Sequence, residues 1–313
     1  MSFYLAIDAG GTKTDYVIAD EERQLARVRT GTIKRLRADA ATAAANLNQG
    51  LVELTAVTGI DMDVITRTCI GTAGESVPLV ADWLHEAFRT RVAGELLLLG
   101  DVEIALDAAF PVEPGVLILA GTGSNVAGRS RSGRITTVGG WGPVLSDQGS
   151  GHRVGSEALR AIFLAIDEAD SKDSAQPPTA VLPAVLEFWG LASLDQLIEY
   201  ANSTPAPDFS QLTNVVYSCA QRGDPLAQSV LKREGEQLAH LAYLAIRRLQ
   251  RIDSDPSWVP AIAFTGSIME KVPPVRDSLL ATLRTDFPSI EVLPGIIDPV
   301  TGALWRARLG VLP

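Results

Sequence analysis

The sequence contains few cysteines and histidines. Its 313 residues include two cysteines and three histidines, and there is no Cys-x-x-Cys motif. Zinc-ribbon and iron–sulfur sites need closely spaced cysteines, so these functions are excluded. Cys69 and Cys219 stand far apart in apolar surroundings, which predicts buried free thiols in a reducing, cytoplasmic compartment.

The sequence also lacks an excess of basic charge and long apolar runs. Its formal net charge is -10, whereas nucleic-acid-binding surfaces are basic, so no nucleic-acid partner is expected. No apolar run reaches membrane-spanning length, and the N-terminus does not resemble a signal peptide, so no membrane association is expected. A content of 46% hydrophobic and 20% charged residues is typical of a soluble globular protein with one large or two smaller domains.

The most informative segment is the N-terminal one, which reads FYLAIDAGGTKTDYVIAD at residues 3–20. It predicts a strand, a tight turn and a second strand, with Asp8 just before the turn. Glycines let backbone N–H groups approach phosphate oxygens, hydroxyls add donors, and Asp8 can hold Mg²⁺, usually through water. We interpret the segment as an ATP-binding hairpin, and an ordinary Gly-Gly hairpin turn is the alternative. The candidate phosphate-binding residues are Gly10, Gly11, Thr12, Lys13 and Thr14.

Two other phosphate-binding motifs fit this segment less well. A Walker A loop ends in Gly-Lys-Thr and opens a helix, whereas the order here is Gly-Thr-Lys-Thr and the next segment alternates like a strand. A dinucleotide-binding fingerprint likewise needs a helix after its glycines. The hairpin interpretation is therefore preferred over both.

The pattern of strands and helices repeats in the two halves of the chain. Residues 3–30 predict a three-strand meander, and the first half continues to give the order β-β-β-α-β-α-β-α. The second half starts with a buried strand, a Gly-Thr-Gly turn and a returning strand, and later residues are mainly helical. The Pro- and Gly-containing segment 111–115 predicts the boundary. The predicted domains are therefore 1–114 and 115–313, with the option that the last helix returns to the first domain.

Two further turns support the interpretation of the first. Residues 119–125 read LAGTGSN, and they place Gly121, Thr122 and Gly123 where the second half repeats the first hairpin. Two such turns can bind a triphosphate from two sides, so the pair indicates ATP binding more strongly than either turn alone. A third strand ends at Gly266 and Ser267 in a turn on which adenine can lie, although such strand–Gly–helix turns are common.

Asp101 and a glycine-rich segment are candidates for the chemistry. Asp101 follows an apolar strand, where a carboxylate can accept the proton of an attacking hydroxyl or orient it. Residues 139–156 read GGWGPVLSDQGSGHRVGS, a composition that suits a polar pocket, and Asp147 can accept hydrogen bonds from vicinal sugar hydroxyls. A helix N-cap is the alternative role of both aspartates. His152 has no second histidine or cysteine nearby, so we expect it to be a satisfied structural histidine.

Lys34, Arg35 and Arg37 form a basic cluster after Gly31 and Thr32. The expected explanation is a solvated charged face. The alternative is contact with an anionic substituent of the substrate, which would change the Michaelis constant of a Lys34 variant.

Together these motifs resemble the BadF/BadG/BcrA/BcrD ATPase family of the actin-like, sugar kinase and heat-shock ATPase superfamily. Within that family the chain is most similar to N-acetylglucosamine kinases. The resemblance covers nearly the whole chain and is most specific at residues 8–14, 121–125, 139–142 and 147–150. It implies an α/β fold of two ribonuclease H-like (actin-like ATPase) domains around a nucleotide cleft.

The resemblance also implies functions for individual residues. Asp101 matches the family's catalytic aspartate, and Gly266 with Ser267 would bind the adenosine. The implied activity is that of an ATP- and Mg²⁺-dependent hexosamine kinase, which phosphorylates a hydroxyl, expected to be O6, of N-acetylglucosamine or glucosamine. A homodimer is expected by family analogy. The implied sugar-binding residues are Thr122, Asn125, Gly140, Trp141, Asp147 and Gln148.

Two positions depart from the pattern of N-acetylglucosamine kinases. Residues 31–34 read GTIK where those kinases have a sugar-binding asparagine, and Gln148 replaces the usual glutamate. The sugar therefore stays open between N-acetylglucosamine, glucosamine and a muramic-type sugar. The alternative function is a non-kinase ATPase that acts as a conformational switch on a protein partner. The dehydratase-activating branch of the family uses a cysteine-bound cluster, and the cysteine count argues against that branch.

Overall fold

A computed structural model, which describes residues 2–171 and 179–310, divides the chain into two compact units. The first comprises Met1–Gly115 and Ile297–Pro313, and the second comprises Val116–Ile296. Each unit contains a β-sheet with helices, which confirms the predicted α/β class.

The first unit is built on a five-stranded sheet in the order β3-β2-β1-β4-β5. The strands β1 to β3 form an antiparallel meander, and β4 and β5 continue in parallel from β1. The predicted order of elements is thus confirmed, with a short 3₁₀ helix added at Met62–Val64. The strands β1 to β5 are Phe3–Ala9, Lys13–Ala19, Gln24–Gly31, Ile65–Thr72 and Glu95–Leu99, and the helices α1 to α3 are Ala40–Thr58, Pro78–Arg89 and Asp101–Ala109.

Both faces of this sheet are covered, because successive strand residues point to opposite sides. On one face Leu5 and Ile7 pack in a core with apolar residues of α1 and α2. On the other face Ala6 packs with Ile104 of α3 and with the C-terminal helix Pro299–Leu309. This second core determines where α3 lies and therefore where its first residue, Asp101, is held.

The C-terminal helix approaches α3 very closely. A Cβ atom on Gly302 would lie 1.8 Å from the Ile104 carbonyl oxygen, so glycine is required at this crossing. The Arg306 guanidinium donates from Nε to Asp107 at 2.5 Å and from Nη2 to Glu103 at 2.9 Å. Packing and buried charge thus both hold α3 in place.

The second unit has a four-stranded sheet in the order β8-β7-β6-β9 and is otherwise helical. A strand predicted at residues 290–293 is wrong, since only one bridge joins Val292 to Ile262. Gly295, whose N–H would be the next donor to β9, has φ of +78°, so the chain leaves the extended conformation and the ladder ends. The strands β6 to β9 are Gly115–Ala120, Ser124–Arg129, Ile135–Gly139 and Ile262–Thr265, and the helices α4 to α10 are Gly151–Ser171, Val181–Trp189, Leu194–Ala201, Thr213–Gln221, Pro225–Ile252, Ser267–Lys271 and Pro273–Asp286.

Within the described residues, no single helix is both long and apolar enough to cross a membrane. The helices α5 and α6, bent by 65° at their junction, reach that length and hydropathy only when they are taken together. Val181, Val185 and Leu197 of this pair are buried in the core of the second unit.

Candidate functional site

The first predicted phosphate turn joins β1 to β2. A neighbouring loop braces this turn, because the Thr32 hydroxyl donates to the Gly10 carbonyl at 2.7 Å and the Ile33 N–H donates to the Thr14 hydroxyl at 3.1 Å. Thr14 is fully buried, so its hydroxyl supports the loop. The exposed residues of the turn are Gly11, Thr12 and Lys13.

Asp8 and Asp15 are direct cross-strand partners in this hairpin. Like charges at such positions repel each other. Asp15 is buried and compensated, since Arg27 donates to it from Nε and Nη2 at 3.0 and 2.8 Å and Arg29 donates from Nε at 3.0 Å. Arg27 also pairs with Asp298 at the start of the C-terminal helix. Of these two carboxylates, Asp8 therefore has the less compensated negative charge.

The carboxyl group of Asp8 fits a water-mediated magnesium site. Burial raises its pKa to about 7, and the charges of Asp15, Asp101 and Asp298 act in the same direction, opposed by Lys13. A cation would stabilise the ionised form of such a group. The described residues hold no cluster of three or more metal-ligating side chains, and Mg²⁺ is commonly bound by one or two carboxylates, its own waters and substrate phosphates.

Replacing Asp8 with asparagine is expected to stabilise the ligand-free protein at alkaline pH. Asp8 ionises near pH 4 in the unfolded chain, whereas its folded pKa is about 7. The folded state therefore loses stability as the pH rises from about 4 to about 7, and the loss is complete above that range. Urea unfolding at pH 8 should show a gain of roughly 2 kcal/mol, below the about 4 kcal/mol of the full shift, because the side chain is partly open to solvent.

This gain should vanish as the pH falls toward 4. Asp20→Asn is a control of opposite sign, because backbone N–H groups of Arg23 and Glu22 lower the pKa of Asp20. That variant should lose stability at neutral pH. An Asp8 variant no more stable than the unaltered protein at pH 8 would contradict the uncompensated charge.

Asp101 is the first residue of α3, and only Gly100 separates it from the strand β5. The N-cap position belongs to Gly100, and the Asp101 carboxylate accepts a hydrogen bond from the Val102 N–H at 2.9 Å. The alternative of an N-cap is thus not what the structure shows. Burial raises the pKa of Asp101, the charge of Lys34 lowers it and that of Glu75 raises it. A carboxylate in this setting can accept or orient a hydroxyl proton.

The three basic residues after Thr32 do not share one environment. The Arg35 guanidinium points back, donating to the Ala38 carbonyl at 2.5 Å and lying 6.0 Å from the ring centroid of Trp83. Arg37 is exposed, as a solvated face predicts. Lys34 is half-buried and acts electrostatically on Asp101, so a common solvated face is wrong for it.

In the second unit, the second predicted turn is joined to the start of α4. The Gly121 carbonyl accepts from the Gly151 N–H at 2.8 Å, and the Thr122 carbonyl accepts from the His152 N–H at 3.2 Å. The predicted adenosine turn is also adjacent, because a Cβ atom on Gly121 would lie 3.8 Å from the Ser267 hydroxyl. Gly266 has φ of +96° and lies against the Ala120 backbone, so only glycine fits there.

Asp147 and Asn125 lie close to two of the glycines. Asp147 is 5% exposed and has φ of +62°, a strained backbone for a residue with a side chain, and it accepts from the Gly142 N–H at 3.2 Å. A Cβ atom on Gly123 would lie 2.8 Å from its Oδ2. Asn125 abuts Gly140, and its buried Oδ1 has no hydrogen-bond partner in the part of the chain that the structure describes. The strain and the unpaired oxygen are both typical of a ligand-binding site.

The remaining predicted sugar-site residues differ in exposure. Trp141 is 75% exposed. Gln148 is partly exposed, and its Oε1 accepts from the Ser146 hydroxyl at 3.0 Å. Two cavities, of about 400 Å³ in the first unit and about 830 Å³ in the second, are lined by other residues.

Several supporting residues were missed by the sequence interpretation. Arg27 and Arg29 alternate with buried residues along β3, and this period of two could have placed them on the face of Asp15. Glu234 of α8 is buried and accepts from the Gly149 N–H at 2.8 Å, which anchors the loop next to Gln148. No local pattern marks Glu234, because its partner lies 85 positions away.

Comparison with known proteins identifies relatives over the whole length of the chain. The sequence profile of the BadF/BadG/BcrA/BcrD ATPase family matches residues 5–305. An N-acetylmuramic acid/N-acetylglucosamine kinase of Clostridium acetobutylicum is 25% identical, with 98% of this chain and 99% of that protein aligned. An N-acetyl-D-glucosamine kinase of Dictyostelium discoideum is 28% identical, with 97% of each chain aligned.

A solved structure shows the same fold. It belongs to a proposed N-acetylglucosamine kinase from Porphyromonas gingivalis, with a TM-score of 0.74 at 22% identity, and the alignment covers 98% of this chain and 99% of that one.

Proposed function

The chain belongs to the BadF/BadG/BcrA/BcrD ATPase family, and from this premise we propose that it is an ATP-dependent amino-sugar kinase. The observation that carries the proposal is Asp101, a half-buried carboxylate one residue after β5, whose pKa is lowered by the charge of Lys34 and raised by burial and the charge of Glu75. The names of the relatives support the substrate class, since both curated relatives above are kinases of amino sugars. The alternative of a conformational switch is not favoured by these relatives.

In the first unit, we assign the proton step to Asp101. Its carboxylate would accept the proton of the attacking sugar hydroxyl, expected to be O6, or orient that hydroxyl. Gly10, Gly11, Thr12 and Lys13 would bind phosphate oxygens through N–H groups and the ammonium group. Asp8 would hold Mg²⁺ through water, and Mg²⁺ when bound would neutralise phosphate oxygens.

In the second unit, Gly121, Thr122 and Gly123 would bind phosphate oxygens and the neighbouring Gly266 and Ser267 would bind the adenosine. The contacts of Gly121 with Ser267 and Gly151 support this assignment. The acceptor sugar would be bound by Thr122, Asn125, Gly140, Trp141, Asp147 and Gln148. The buried, unpaired Asn125 oxygen supports this part of the proposal.

A coupled assay of ADP release over a panel of sugars tests the proposed function. The panel should include neutral N-acetylglucosamine, cationic glucosamine and anionic N-acetylmuramic acid, each with and without Mg²⁺. We expect turnover that needs both ATP and an amino sugar, with phosphate found on the sugar by mass spectrometry. ATP hydrolysis that ignores every sugar but responds to a protein partner would contradict the proposal and support a switch.

Lys34→Met is expected to move the acidic limb of kcat/KM for the sugar to higher pH. Burial raises the pKa of Asp101, and the positive charge of Lys34 lowers it. Without Lys34 the carboxylate would therefore become protonated at higher pH, and it must be ionised to accept a proton. Glu75→Gln removes the opposing charge, so it should move the limb to lower pH. The measurement is initial rate against pH at saturating ATP.

Arg37→Met provides the matched control. Arg37 is exposed three positions from Lys34, and its removal should leave the limb in place. If the acidic limb of the kcat/KM profile lies at the same pH in the unaltered protein and in all three variants, Lys34 has no electrostatic effect on Asp101. A higher Michaelis constant of Lys34→Met for N-acetylmuramic acid alone would instead support contact with the anionic substituent.

A further inference from the structure

One ring nitrogen of His152 lacks the hydrogen bond that a purely structural histidine would be expected to have. Its Nδ1 atom is buried and has no hydrogen-bond partner among the described residues. A buried polar atom without a partner costs free energy, so such atoms usually receive a hydrogen bond from water or a ligand. The expectation of a satisfied structural histidine is therefore wrong at this nitrogen.

The backbone and ring of His152 are nevertheless held firmly. Its N–H donates to the Thr122 carbonyl at 3.2 Å, so the residue is attached to the second phosphate turn. The imidazole packs edge-on against Phe209, with ring centroids 5.4 Å apart. These two contacts therefore fix the position of the ring that carries the unpaired Nδ1 atom.

Other unpaired atoms lie in the same part of the second unit. Six buried side-chain atoms lack a partner within the described segments, and three of them belong to Asn125, His152 and Arg153. Asn125 is a sugar-site candidate next to Gly140. His152 is joined to this site through Thr122, three positions before Asn125, and through the charge of the sugar-site candidate Asp147.

The charge state of His152 also suits a neutral hydroxyl ligand. Burial lowers its pKa, Asp208 and Asp147 raise it, and Arg153 and Arg160 lower it, with a net lowering. The ring is therefore neutral at neutral pH, with one nitrogen that donates and one that accepts. A sugar hydroxyl both donates and accepts, so it matches Nδ1 in either tautomer.

We propose that His152 is a further sugar-binding residue, whose Nδ1 forms a hydrogen bond with a hydroxyl of the acceptor sugar. This inference rests on the proposed function. It adds a residue to the sugar site and explains why Nδ1 is buried without a protein partner.

Imidazole NMR tests the proposal directly, because the chain has only three histidines. His85 and His240 are exposed and serve as internal controls in the same spectrum. Long-range ¹H–¹⁵N correlation spectra of the ¹⁵N-labelled full chain would be recorded with and without N-acetylglucosamine, and His152 assigned from His152→Phe. We expect the sugar to shift the His152 Nδ1 resonance saturably and to leave those of His85 and His240 unchanged.

Kinetics of His152→Phe provide a second readout. Phenylalanine keeps the ring contact with Phe209 but has no nitrogen, so KM for the sugar should rise about tenfold while KM for ATP stays constant. His240→Phe is the matched control and should leave both constants unchanged. Thermal unfolding checks that each variant is folded.

The outcomes separate the inference from the proposed function. If the enzyme phosphorylates the sugar but the His152 resonance does not move, the inference is overturned and the kinase assignment stands. If His152→Phe keeps the original KM for the sugar, the inference is likewise overturned. If no sugar in the panel is phosphorylated, the proposed function itself fails.

Discussion

Asp101→Asn is expected to lower kcat for the amino sugar about 10²–10⁴-fold, the range for loss of a general base. Asparagine has nearly the same shape and can still accept from the Val102 N–H, which Asp101 binds at 2.9 Å. It cannot take a proton from the sugar hydroxyl. We therefore expect KM for ATP to stay within about twofold, because the loss concerns the transition state. Steady-state kinetics with each substrate varied in turn measure both effects.

Glu103→Gln is the matched control for this prediction. Glu103 lies in the same first turn of α3 and pairs with Arg306 at 2.9 Å. Its neutralisation removes a charge at the same helix end and weakens one contact of α3, so it should reduce stability and lower kcat far less than Asp101→Asn does. An Asp101→Asn protein with the original kcat would rule out Asp101 as the base. Equal losses of kcat in Asp101→Asn and Glu103→Gln would mean that activity depends on the start of α3 as a whole and not on Asp101 as the base.

The parts of the fold that the sequence predicts are those set by short-range patterns. The hairpin of β1 and β2 follows from two apolar runs around Gly10 and Gly11, and the structure shows it with the expected pairing. The strand β6 and its Gly-Thr-Gly turn are confirmed for the same reason. The placement of Asp101 after β5 depends only on the order of an apolar strand and a helix start.

The parts that could not be predicted depend on residues that are distant in sequence. Arg306 reaches Asp107 across 199 positions, and Glu234 reaches Gly149 across 85. No periodicity specifies such pairs, because many charged residues have the same local pattern. The unpaired Nδ1 of His152 belongs to the same class, since its burial depends on packing against Phe209. The effects of Lys34 and Glu75 on the pKa of Asp101 likewise depend on tertiary structure, because both residues are distant from Asp101 in the sequence.

Gly302→Ala is expected to cause the largest loss of stability, about 3 kcal/mol or more. The added Cβ would lie 1.8 Å from the Ile104 carbonyl oxygen and 2.7 Å from the Ala108 nitrogen, so the backbones of two helices would have to separate. Alanine itself is a better helix former than glycine, so without this contact the change would stabilise the helix. Urea unfolding, followed by circular dichroism, measures the loss.

The same change should also lower kcat, because the C-terminal helix holds α3 and α3 begins at Asp101. A displacement of about 1 Å at the reacting group can cost on the order of 10²-fold in rate. Thr301→Ala is the matched control on the neighbouring, exposed position, and it should change stability by about 1 kcal/mol or less with no effect on kcat. If Gly302→Ala is as stable and active as Thr301→Ala, the close helix crossing does not position Asp101. If stability falls while kcat in the folded fraction stays constant, the crossing supports the fold alone.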